Sequence, residues 1–85
     1  MKNKKIDIER NIVEIIRNIT NKSIKDRTTN LFEDIDVFEI LYILVELERK
    51  MHITMGDLFE NSDYTVMTIE NLTEKIYLND KLTLV

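Results

Sequence analysis

The sequence predicts an all-α fold, a four-helix bundle built from three main helices and one short one. Three observations lead there. Apolar residues recur at helical spacing in three separate segments, Ile8 to Ile19, Ile40 to Met51 and Val66 to Ile76. No proline interrupts any of them. The stretches between are rich in Asn, Ser, Thr and Asp, residues whose short polar side chains favour turns and helix caps over helix interiors. The 85 residues leave room for one domain, spanning 1–85. A domain this small typically buries only about 60% of the surface its unfolded chain exposes, so its stability is expected to be modest.

The first helix is expected to start at Asp7 as its cap, with Ile8, Ile12, Ile15, Ile16 and Ile19 on its inner face and Glu9, Arg10, Glu14 and Arg17 facing water. From Thr20 to Asn30 the pattern dissolves, and Ile24 is the single apolar residue, which predicts a loop that crosses the bundle and is pinned once. Leu31, Phe32 and Ile35 then make a short apolar turn. Asp36 with Glu39 three residues on reads as a capping box, in which the Asp carboxylate accepts from backbone donors that the first turn leaves unpaired. Val37 is then the first residue of the central helix.

That central helix carries two apolar stripes where a small bundle needs one. Ile40, Ile43, Leu44, Leu47 and Met51 share one face at helical period, an ordinary core stripe. Phe38, Leu41, Tyr42 and Val45 share another, separated from the first on one side by Glu39, Glu46 and Lys50. Two readings of the second stripe stand open: it packs under the long loop, or it is an exposed docking patch, since an apolar surface cluster of this kind marks a partner interface.

After Met51, Thr54 is expected to cap a short helix running to about Glu60, weakened by Gly56, and Asn61-Ser62-Asp63 to form a turn. Thr65 can cap the last helix, with Val66, Ile69, Leu72 and Ile76 inward and Asn79-Asp80 ending it. Leu82 to Val85 form an apolar tail of β-like composition.

Composition excludes several functions. Without cysteine there are no disulfides, thiolate metal sites or cysteine nucleophiles. A formal charge of −4 disfavours nucleic acid as partner, because phosphate binding is driven by Lys and Arg displacing counterions. Lys2, Lys4 and Lys5 are not followed by the apolar run of a secretory signal. No apolar segment approaches the ~20 residues that span a bilayer, so no membrane association is expected and a soluble cytoplasmic protein is.

Nor do the residues converge on a catalytic constellation. His52 stands alone at a helix end, and acid-base and metal sites need several convergent groups. Glu33, Asp34 and Asp36 are the densest carboxylates; oxygen ligands suit Ca²⁺ or Mg²⁺, but charge at a helix N-terminus accounts for them more simply, and no metal is expected. One glycine, Gly56, leaves no phosphate-binding loop. Ser23 and Ser62 lack a nucleophile-elbow context.

From Asn30 to Ile76, with Leu31-Phe32-Glu33-Asp34-Ile35, then Asp36-Val37-Phe38-Glu39, then Leu47-Glu48-Arg49-Lys50-Met51 and Ile53-Thr54, the chain resembles the acyl and peptidyl carrier proteins. The resemblance implies their four-helix bundle, with helices in the order long, long, short, long. In that family an Asp-Ser-Leu motif opens the second helix and its Ser carries phosphopantetheine. Here the motif reads Asp36-Val37-Phe38, and the glycine-containing pair that usually precedes it is missing. Val37 offers no heteroatom to attack the coenzyme A pyrophosphate, so no cofactor is expected. The resemblance further implies that partners dock on the second helix, usually through acidic residues. Carried onto this chain, the partner-binding residues are Val37, Phe38, Leu41, Tyr42, Val45 and Glu48.

The expected function is therefore a carrier-like, non-enzymatic adaptor that binds a protein partner, a biosynthetic or peptide-maturation enzyme, without a prosthetic group. The latter association, and the Ile, Asn and Lys richness, suit a bacterial origin. Two alternatives remain: a working carrier whose attachment Ser has been replaced by Val, and a small helical regulatory or oligomerisation module.

Overall fold

A computed structural model describes residues 4–82, with the backbone alone at 81 and 82. The regular structure of the described chain is all helical: α1 (Lys5–Thr20), α2 (Val37–Met51), the short α3 (Met55–Phe59) and α4 (Ile69–Leu82), with 3-10 turns at Leu31–Glu33 and Tyr64–Val66. This is the small all-α bundle the periodicity predicts. Among the described residues there is no strand.

The core forms where the inner stripes meet. Ile8, Ile12, Ile15 and Ile16 of α1 face Ile40, Ile43, Leu44, Leu47 and Met51 of α2, and Ile69, Leu72 and Ile76 of α4 close the third side. Leu31, Ile35, Ile53, Leu58, Val66 and Met67 fill the ends. Ile19 and Ile24 are only half-buried against this core, Ile24 pinning the long loop as expected. The polar groups that enter the core are satisfied locally: the Thr20 and Thr73 hydroxyls donate to the carbonyls of Ile16 and Ile69, each at 2.7 Å. Such back-bonding inside a helix removes the cost of an unpaired buried hydroxyl.

Helix ends differ from expectation in four places, each for a local reason. α1 begins at Lys5, with Lys4 rather than Asp7 at the cap position. The extra residues are held because the Lys5 ammonium pairs with Glu74 of α4 and lies 5.3 Å from the Tyr77 ring centroid. Asp7 sits in the first turn instead, still at the positive end of the helix dipole.

Asp36 holds the cap position of α2 and Val37 is its first residue, but the Asp36 carboxylate makes no capping hydrogen bond. Entry is set by burial of Leu31, which opens the 3-10 turn, and of Ile35 just after it, whose N–H donates to the Leu31 carbonyl at 2.9 Å.

At the start of α4 the cap is Thr68, whose hydroxyl accepts from Asn71 N–H at 2.9 Å. Thr65 is unavailable for that role: its own hydroxyl donates to Asp63 at 2.7 Å, and Asp63 closes the preceding 3-10 turn by accepting from Thr65 N–H. α4 then runs past Asn79-Asp80 to Leu82, since neither residue breaks a helix as Gly or Pro does. Of the apolar tail, Leu82 ends α4 and residues 83–85 lie outside the described chain. Thr54 caps α3 as expected, accepting from Asp57 N–H at 3.0 Å.

Candidate docking face on α2

The inner stripe of α2 anchors the helix so completely that its opposite side must face outward. Ile43 and Leu47 are 0% exposed, Ile40 is 1% and Leu44 is 5%. On the far side Phe38 is 68% exposed, Tyr42 65%, Val37 51%, and Leu41 and Val45 50% each. Phe38, Leu41, Tyr42 and Val45 are the second stripe, with Val37 exposed beside them, and the structure decides between its two readings: it is not covered by the loop.

The reason lies 10 residues or more away along the chain, in Arg27. Its guanidinium pairs with Glu9 of α1 and, at 3.1 Å, with Glu70 of α4, while its carbonyl accepts from Glu70 N–H at 3.0 Å. This double clasp draws the loop over the α1–α4 side of the bundle and away from the outer face of α2. The hydrogen bonds to Glu9 raise the Arg27 pKa further above its already high ordinary value.

Glu48 is placed differently from the apolar residues around it. It is half-buried, and its carboxylate accepts from Met55 N–H at 2.8 Å, the first residue of α3. The acid that the resemblance offers to a partner is thus engaged within the chain, bracing the α2–α3 corner. Arg49, on the exposed face one turn beyond Val45, forms two parallel hydrogen bonds to Glu46, each 3.0 Å. That contact lowers the Glu46 pKa below its ordinary value. His52 is a helix-end residue, in the left-handed region at φ 55° and donating its N–H to the Glu48 carbonyl.

Glu33, Asp34 and Asp36 are exposed just ahead of α2. Among the described residues no three His, Cys, Asp or Glu side chains converge as a metal would require. A groove of about 580 Å³ between α1 and α4 is lined mainly by Lys5, Glu9, Arg27, Glu70 and Glu74, which pair with one another. Its charges are spent on the fold.

Two exposed aromatic residues were not legible as surface. Phe32, expected inside the apolar turn, is 45% exposed, and Tyr64 is 67% exposed. The Asn30 side chain ties their segments together, accepting from Phe32 N–H and donating to the Tyr64 carbonyl, both at 2.9 Å. Both aromatics therefore stand at the end of the bundle from which α2 starts. Asn30 before the first turn and Asp63 before the second, each accepting a backbone N–H two residues on, are the sequence signals of these turns.

Comparison with protein-family models, with curated proteins and with solved structures returned no match to this chain. No helix among the described residues is long and apolar enough to cross a membrane.

Proposed function

We propose that this chain is a non-enzymatic, carrier-protein-like adaptor, which docks a protein partner through the outer face of α2 and carries no prosthetic group. The observation that carries the reading is the exposure of Phe38, Leu41, Tyr42 and Val45 in one stripe on a helix whose other face is fully committed to the core. Large apolar and aromatic side chains held on a rigid helix lose little freedom on binding, and such residues dominate interface energies. A partner enzyme of biosynthesis or peptide maturation in a bacterial cytoplasm suits the resemblance to carrier proteins. Val37 supports the second half of the reading, because an isopropyl side chain at the first position of α2 supplies no nucleophile for pantetheinylation.

Two measurements test it. Incubation with a promiscuous phosphopantetheinyl transferase and coenzyme A should leave the intact mass unchanged; a gain of one phosphopantetheine would refute the absence of an arm and turn attention to a hydroxyl such as Ser62. Affinity capture from the native cell should retain a partner on the wild-type chain and lose it on a Tyr42→Ser, Val45→Ser variant of unchanged fold. A partner kept by both would show that docking uses another surface.

A further inference from the structure

The segment from Asn21 to Asn30 is built unlike the rest of the chain. None of its residues is buried, and Ile24 is its one apolar side chain against the core. Its ends lie close together, because the Lys22 ammonium donates to the Asp34 carbonyl at 2.6 Å, and α1 leads into it through Asn21 in the left-handed region at φ 59°. Asp26 organises a single turn within it, its carboxylate accepting from Thr28 N–H at 2.9 Å and its carbonyl from Thr29 N–H at 3.1 Å. Arg27 stands in that turn. A compact surface loop with a closed neck is an Ω-loop in form.

Neck and tip are fastened by different physics. At the neck, Leu31 is fully buried and its N–H donates to the Met67 carbonyl at 2.7 Å. The tip is held by the pairs of Arg27 with Glu9 and Glu70, whose side chains are 48%, 33% and 50% exposed. Ion pairs that open to water are weak and are screened by salt. Segments with few buried apolar contacts and exposed hydrogen bonds open well before the whole fold does.

We infer that residues 21–30 form a strap latched by Arg27, which opens as a unit about its neck while the bundle and the outer face of α2 stay folded. Opening breaks both ion pairs and takes the Arg27 carbonyl away from Glu70 N–H. Glu70 is the second residue of α4, and N–H groups in the first turn of a helix have no acceptor within the helix. The strap is therefore what protects this amide. Asn71 N–H, the next along, is held by the Thr68 hydroxyl and does not depend on the strap. The open form frees the start of α4 and uncovers the core beneath Ile24, both on the α1–α4 side. Ionic strength sets the balance, because ions that screen Arg27 favour opening. The device is independent of the adaptor reading, which concerns the other side of the molecule.

Amide hydrogen exchange of the whole chain, resolved by residue with NMR and corrected for intrinsic rates, tests this. Glu70 N–H should exchange at least about tenfold faster than the amides of Leu31, Leu44 and Leu47. Arg27→Gln should speed Glu70 by a further factor of about three to ten, as loss of two exposed pairs implies, and leave Asn71, Leu31 and α2 unchanged. Raising sodium chloride to about 1 M, where screening acts within ~3 Å, should speed Glu70 about twofold or more. The salt series uses the wild-type chain, so the test does not depend on the variant folding. A Glu70 amide as slow as those of α2, or one indifferent to salt, would overturn the proposal. So would Leu31 and α2 amides that accelerate together with Glu70 in salt, since the strap would then open only with the bundle. None of these results bears on capture of a partner, which separates failure here from failure of the adaptor reading.

Discussion

The two faces of α2 are built from the same kinds of residue and meet opposite fates. Leu44 and Leu47 are buried, while Leu41, one turn earlier, is half exposed, and Phe38 and Tyr42 lie almost as open as charged residues. Hydrophobicity alone does not distinguish them. What does is the position of α1 and α4, which close on one side of α2 only, and the Arg27 clasp, which holds the connecting loop on the α1–α4 side of the bundle. A helix face becomes core when another element is brought to it and held there.

The contrast can be broken most severely from the inside. Leu47→Ala should cost about 2–5 kcal/mol, through lost burial and the cavity left behind. Each kcal/mol is worth roughly 4–8 °C of Tm in a domain of this size, so thermal melting will show the loss plainly. Leu44→Ala should fall in the same range; a melting curve unmoved by either substitution would mean the faces of α2 are assigned the wrong way round.

Glu48 lies between the extremes and sharpens the comparison. If its carboxylate braces Met55 N–H as an N-terminal cap would, Glu48→Ala should cost about 1 kcal/mol in chemical denaturation. Glu48→Gln, which keeps an acceptor oxygen, should cost less. Equal stability of both variants with wild type would return Glu48 to the docking surface as a free acid.

On the outer face the expected effect on stability is smaller still. Tyr42→Ser and Val45→Ser should each change stability by no more than about 0.5 kcal/mol, the usual bound for exposed positions. A marked drop in Tm would show that the stripe is covered within the chain after all.

The smallest effect is electrostatic. Because Arg49 holds the Glu46 pKa below its ordinary value of 4.5, the folded state favours ionised Glu46. The associated stability is present above pH 4.5 and is lost as pH falls through the lowered folded value. Arg49→Gln should lower stability slightly at neutral pH, leave it unchanged below the lowered folded value and so flatten the acid limb, as urea denaturation at a series of pH values would record. An acid limb identical in the variant would show that the pair contributes nothing in solution.

Helix existence was easy to read and helix ends were not. Thr54 could be recognised as a cap because no competing acceptor stands beside it, whereas Thr65 could not be judged without knowing that Asp63 claims its hydroxyl. Lys5 extends α1 only because Glu74 and Tyr77 arrive from a distant helix. Of the candidate site residues, the apolar ones were legible as a second stripe, but Glu48 was assigned by resemblance to a surface role while its carboxylate turns to the backbone of α3.

By itself the sequence determined the helical periods, the number of helices and the absence of a hydroxyl at Val37, because each is a property of residues close together in the chain. Angular position around a helix axis follows from spacing alone. Which angle is covered does not. The exposure of Phe38, Tyr42 and Val45, the outward turn of Phe32 and the internal use of Glu48 were decided only in the tertiary structure, where groups as remote in sequence as Arg27 and Glu70 meet and direct the loop that leaves the outer face of α2 open.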